Sequence, residues 1–189
     1  MRLFTALWPS DEAVRHLASA VDRLHPDRVA EATAGLRKFR FTPPSRWHLT
    51  LRFHGDDADE QRVTDRLDQR VAKLLETDPS SPRLRLAGAG TFRGVLWVGV
   101  EPETGSDDAA LRELVRAAGG DPRGHTAHLT IARWVAGRAD RELLPGLFAG
   151  YTGPWWRPRD LAVVCSDLRE GVREYRTVHR VAVTRETPG

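Results

Sequence analysis

Two tetrapeptides, His48-Leu49-Thr50-Leu51 and His128-Leu129-Thr130-Ile131, repeat one pattern at an interval of 80 residues. In a β-strand successive side chains alternate faces, so each copy sets its His and Thr about 7 Å apart on one face and its two aliphatic residues on the other. The chain must therefore supply two half-buried strands that each present an imidazole and a hydroxyl. A single H-x-T is ordinary on the polar face of a strand; two copies in matching strand contexts are informative. Brought together across a cleft, they give two histidines able to exchange protons and two hydroxyls able to hydrogen-bond phosphate oxygens. That set suits a phosphodiester.

The 189 residues, 40% hydrophobic and 29% charged, are within the range of one globular domain. We expect a single bilobal domain over residues 1–189. No run approaches the roughly 18 consecutive apolar residues of a membrane helix, and the chain enters a strand pattern at Arg2 without an apolar signal region, so a cytoplasmic location is expected. The lone Cys165 follows the apolar run Leu161-Ala162-Val163-Val164 and reads as a buried small hydrophobe rather than a nucleophile. Net charge is only +3, but Lys38 and Lys73 are the only lysines among 29 basic residues. Arginine offers a planar fork for phosphate and a surface for stacking on bases, although most of these arginines read as solvated partners of the 26 acidic residues.

Periodicity orders the elements. Residues 2–8 read as a strand, and Ser10 caps a helix carrying Val14, Leu17, Ala18, Val21 and Leu24 that ends near His25-Pro26. Residues 26–46 read as a loop overhanging the cleft. Helical spacing resumes over 56–76, until Pro79 and Pro82 stop it. A hairpin follows, with strands leading to Phe92 and returning over 95–100 about an Arg93-Gly94 turn. A helix over 107–118 ends at Gly119-Gly120, the second H-x-T strand spans 126–134, and a weak helix spans 141–148. Two last strands, 161–165 and 175–183, flank a polar hairpin loop over 167–173. Strands and helices in this irregular alternation indicate an α+β fold.

The chain resembles the two-histidine (2H) phosphoesterases, and within them the RNA 2',3'-cyclic phosphodiesterases also called 2'-5' RNA ligases. The resemblance rests on Arg2-Leu3-Phe4-Thr5-Ala6-Leu7, the run from Trp47 to Gly55, Val95-Leu96-Trp97-Val98-Gly99-Val100, His128-Leu129-Thr130-Ile131-Ala132-Arg133, and Ser166, Leu168, Gly171 and Tyr175 in an S-x-L-x-x-x-G-x-x-Y segment. Three positions depart from that pattern. Ala127 stands where a Pro is common, Thr5 where an aromatic residue is common, and His54 where Leu is usual. The resemblance implies two pseudo-symmetric lobes, each an antiparallel sheet with outer helices, facing across a central cleft with one H-x-T in each.

It also implies the roles. His48 is expected to be the proton donor to the leaving 3' oxygen, and His128 the proton acceptor that orients water, the product being a 2'-phosphate. Thr50 and Thr130 would bind the non-bridging oxygens where charge accumulates. Arg133 would add to phosphate binding, although strict alternation puts it on the face opposite His128 unless a bulge or the strand's end re-aims it. Arg52 and His54 alternate onto the face of His48. Phe4, Phe53 and Phe92 read as sheet-packing residues, Trp97 as lining either core or cleft wall, and Trp155-Trp156 as a loop pair suited to contact with a partner or substrate.

No cofactor or metal is expected: there is no H-E-x-x-H, no Cys pair and no G-x-x-x-x-G-K-[ST] loop. The expected partner is RNA with a 2',3'-cyclic phosphate end, or a 2',3'-cyclic nucleotide, met by a monomer away from membranes. The rival reading is a noncatalytic RNA-end-binding module that keeps the fold. A further possibility within enzymes is 2'-5' RNA ligation, since one histidine pair can run the chemistry in both directions.

Overall fold

The computed structural model describes residues 2–77, 81–169 and 172–184. Its strands are β1 (Arg2–Leu7), β2 (Arg40–Phe41), β3 (Leu49–Gly55), β4 (Leu84–Phe92), β5 (Val95–Pro102), β6 (His128–Arg133), β7 (Asp160–Arg169) and β8 (Val172–Ala182). Its helices are α1 (Asp11–Asp22), α2 (Pro26–Thr33), α3 (Glu60–Thr77), α4 (Gly105–Ala117) and the short α5 (Leu143–Gly146).

Local chemistry sets most of these boundaries. The Ser10 hydroxyl accepts the Ala13 N–H at the start of α1. Thr104 and Asp107 form a reciprocal capping box on α4. Beyond α4, Gly119 takes a positive φ of 86° and its N–H, with that of Gly120, closes back on the carbonyls of Arg116 and Val115. In the β4–β5 turn both Arg93 and Gly94 have positive φ, as a tight right-twisted hairpin demands.

Residues 26–46, expected as a loop, instead contain α2 and β2. Pro26 opens α2 at a position where its missing N–H costs nothing, and the His25 ring accepts the Asp27 N–H. Rather than standing free over the site, the segment packs Val29, Ala32, Leu36, Phe39 and Phe41 against the core. Helix α3 begins at Glu60 rather than 56, where Asp59 Oδ1 accepts the Arg62 N–H. The last hairpin is longer than its expected strands, because β7 and β8 stay paired from Asp160↔Ala182 to Arg169↔Val172. Pro79 and Gly171 lie outside the described residues.

Among the described residues the strands form one antiparallel sheet in the order β4-β5-β6-β3-β1-β7-β8, with β2 added to β6. The two expected halves are both there, β4-β5-β6 and β3-β1-β7-β8. They are not separate sheets: a single residue pair, Leu49↔Leu129, joins β3 to β6. Both leucines are buried, at 1% and 0% exposure, and burying each contributes about 1.5–3 kcal/mol to folding of the core that spans the seam. All five helices feed the same main core cluster, through Ala13 and Leu17, Ala32, Leu67 and Val71, Leu111 and Leu114, and Leu144. The helices therefore cover one face of the sheet, and the other face is left for the histidines.

Candidate active site

The antiparallel Leu49↔Leu129 pair has a geometric consequence for the repeated motif. Residues flanking it are set across the seam from one another, so His48 lies toward Thr130 and Thr50 toward His128. A pseudo-twofold axis through the two leucines thus relates one H-x-T to the other. All four polar side chains project from the face without helices, while Leu49, Leu51, Leu129 and Ile131 are buried in the helix-side core.

The imidazoles are held in the same way. His48 Nδ1–H donates to the Arg46 carbonyl at 2.7 Å, and His128 Nδ1–H to the Thr126 carbonyl at 2.6 Å, each two residues back along the chain. Because Nδ1 carries its proton to a carbonyl, Nε2 of each ring is the nitrogen left for proton exchange. Aromatic walls complete both halves. Phe4 stacks on His48 with centroids 5.0 Å apart, and Trp8 and Tyr175 stand 5.4 Å away. Phe92 meets His128 edge-on at 5.0 Å, and Trp97 stands at 6.0 Å. Trp97 can lie there because its cross-strand partner is Gly90, where a Cβ would fall 2.2 Å from the indole.

This setting lowers both proton affinities. Burial among the rings brings the His48 pKa from 6.5 to about 4, against the opposing pull of the Arg46 carbonyl, with the charges of Arg133 and His128 adding to the depression. His128 is lowered chiefly by burial, partly countered by the Thr126 carbonyl, and then by His125 and Arg133. Arg133 is therefore near enough to act on both imidazoles. Its position comes from a bulge at Ile131: Thr130 pairs with Trp97 but Ala132 with Leu96, and Arg133 with Val95. One extra residue flips the alternation and turns Arg133 to the face of the histidines.

An equivalent bulge in β3 has the opposite effect on two candidates. Thr50 pairs with Ala6 but Arg52 with Thr5, which skips Leu51. Arg52 and His54, expected beside His48, are turned to the helix side. There His54 Nε2 and the Thr5 hydroxyl share a 2.8 Å hydrogen bond, and both line a cavity of about 150 Å³ with Arg66 and Arg70. Phe53 is turned the other way: it is 64% exposed beside Phe4 at 5.9 Å, not packed in the sheet. Thr5 thus does not stand in for a missing aromatic wall, since Phe4 supplies one.

Other candidates resolve as follows. Ser166 pairs with Tyr175, and both share the face of Phe4 and Ala6. Phe92 is 43% exposed on the site face rather than packed in the sheet. Trp156 is core, and Trp155 lies under the guanidinium groups of Arg83 and Arg85 at 5.5 and 4.6 Å, so the pair is not a free contact surface. Cys165 is buried at 1% exposure. His125 sits in the loop segment before β6, where its Nε2 lies 2.9 Å from the Thr50 carbonyl and ties that segment to β3. Phe4 and Phe92, expected as sheet-packing residues, and Trp8 and Tyr175, given no role at the histidines from the sequence, are walls of the site; alternation back from Trp8 through Ala6 to Phe4 was the available signal.

With this geometry in view, the comparisons with known proteins define the class. The family model described as the 2'-5' RNA ligase superfamily matches residues 9–170, and the chain belongs to that family of phosphoesterases and ligases. Among solved structures, a Thermus thermophilus protein is 24% identical with a TM-score of 0.62, covering 97% of this chain and 98% of its own. E. coli LigT complexed with ATP is 20% identical with a TM-score of 0.63, and LigT complexed with 3'-AMP is 19% identical at 0.62, each with the same coverage. These likenesses establish the fold. No curated protein matches the chain. Among the described residues, no helix is long and apolar enough to cross a membrane, and no three His, Cys, Asp or Glu side chains converge on a possible metal site.

Proposed function

We propose that this protein hydrolyses RNA 2',3'-cyclic phosphate ends to 2'-phosphates. The observation that carries the reading is the pair of Nδ1-anchored imidazoles related across the Leu49↔Leu129 seam, each with a Thr on the same face. In this scheme His128 Nε2 takes a proton from water as the oxygen attacks phosphorus. The P–O3' bond breaks in line, and His48 Nε2–H gives its proton to the departing 3' oxygen, leaving a 2'-phosphate and a 3'-hydroxyl. Thr50, Thr130 and Arg133 hold the non-bridging oxygens as charge builds on them. With a 5'-hydroxyl in place of water, the same steps join RNA ends through a 2'-5' linkage. That LigT has been crystallised with 3'-AMP accords with a ribonucleotide ligand for this fold.

The donor must first be protonated, and in the free protein burial disfavours this. The substrate's phosphate anion, placed between the rings, restores proton affinity to both. The active free form carries one proton on the histidine pair, whose members titrate near 4 and below 6.5. The pH profile of kcat/KM on a 2',3'-cyclic nucleotide is therefore expected to peak below pH 6.5, with kcat, which reports the bound complex, retained to higher pH. A kcat/KM bell centred above 6.5 would contradict this account of the site.

A further inference from the structure

A cavity of about 220 Å³ opens beside the histidines and shares a wall with them. That wall is Phe92, whose ring meets His128 edge-on at 5.0 Å and also lines the cavity. The other walls include Trp134 and three exposed arginines, Arg93, Arg138 and Arg141. No acidic residue lines it, and none of the three arginines has an ion pair among the described residues. Two carboxylates, Asp140 and Glu142, flank Arg141 in sequence; Asp140 is engaged through Oδ1 with the N–H groups of Glu142 and Leu143, and Glu142 does not line the cavity.

The cavity is built on fixed backbone. The Trp134 N–H donates to the Gly94 carbonyl at 3.0 Å, and a Cβ at Gly94 would strike the Trp134 carbonyl at 2.8 Å, so the β4–β5 turn is seated directly on the end of β6. The Trp134 indole N–H donates to the Gly137 carbonyl, and Arg37 exchanges two backbone hydrogen bonds with Val135 and Ala136. Cations also continue toward the histidines: Arg133 acts on both, and Arg40 pairs directly opposite Arg133 and shares its face.

We infer that this cavity is a subsite for the RNA chain, receiving the nucleotide that precedes the one bearing the cyclic phosphate. The inference rests on the proposed cyclic phosphodiesterase reading and adds where the chain on the 5' side of the cyclic end is held, at Arg93, Arg138 and Arg141. A cyclic mononucleotide has its one phosphate between the histidines and leaves these arginines unused. A strand leaving the site over Phe92 brings a second phosphate to Arg93, Arg138 and Arg141 and a base face to an exposed ring.

The test compares two substrates, a cytidine 2',3'-cyclic phosphate and a short oligoribonucleotide ending in a 2',3'-cyclic phosphate, on the unmodified protein and on the combined Arg93→Ala, Arg138→Ala, Arg141→Ala variant. Fluorescence polarisation of a labelled, 3'-phosphorylated single-stranded oligoribonucleotide runs alongside. The expected result is a loss of about fivefold or more in kcat/KM on the oligonucleotide, a shallower salt dependence by about 0.7 per lost phosphate contact, and an unchanged rate on the mononucleotide. Equal losses on both substrates, or no loss on either, overturn the subsite. Should the unmodified protein open neither cyclic phosphate, the hydrolytic reading fails by itself. The polarisation then decides the subsite: weakened binding in the variant supports it and unchanged binding overturns it.

Discussion

His48→Ala and His128→Ala are each expected to lower turnover of a 2',3'-cyclic nucleotide by roughly 10²- to 10⁴-fold, the contribution of a positioned acid or base. Both variants should fold. Each ring stands on the helix-free face of the sheet and is held by one carbonyl and by ring contacts, while the seam itself is closed by Leu49 and Leu129. Losses of similar size in both variants would reflect the pseudo-twofold relation, because either proton transfer alone leaves the displacement incomplete. Circular dichroism and kcat/KM measured on the same preparations check this. A well-folded variant with an undiminished rate would remove that histidine from the scheme.

The threonines carry the second large effect and separate catalysis from mere capture of an RNA end. Thr50→Val and Thr130→Val keep the shape of the side chain and the strand preference but remove the hydroxyl. If those hydroxyls meet charge that develops on the phosphate, each change lowers kcat/KM by about 10-fold or more. Affinity for an unreactive single-stranded RNA should hardly change, since it rests on arginines and ring stacking. Collapse of RNA affinity, with no hydrolysis by the unmodified protein, would instead mark the paired motifs as a noncatalytic clamp on phosphate ends.

Much of the fold was legible because local signals agreed with tertiary packing. Ser10, Gly119 and the Arg93-Gly94 turn each announced an element boundary that the structure keeps. Helix α2 was hidden by reading Pro26 as a stop, when its position after His25 made it a first helical residue. The union of the two halves into one sheet depends on a single long-range pair, Leu49↔Leu129, which no local pattern encodes.

Within the site, alternation placed His48, Thr50, His128 and Thr130 correctly on a common face and then failed one residue beyond each motif. The bulges at Leu51 and Ile131 shift the register by one, which turns Arg52 and His54 away and Arg133 and Phe53 inward to the site face. A bulge is set by cross-strand pairing rather than by the bulged residue alone, and both bulged positions carry ordinary buried aliphatics. The aromatic wall at Phe92 was missed for the same reason, and Trp97 was left between core and cleft wall, because both reach His128 only through the β4–β5–β6 register.

The central claim is that the histidine pair opens a 2',3'-cyclic phosphate by expelling the 3' oxygen. Incubating the unmodified protein with a 2',3'-cyclic nucleotide in excess EDTA and reading the product by phosphorus NMR tests it most directly. The account predicts turnover that persists under chelation and a single 2'-phosphate product. A 3'-phosphate product, or turnover that vanishes with EDTA and returns with one divalent ion, would contradict it.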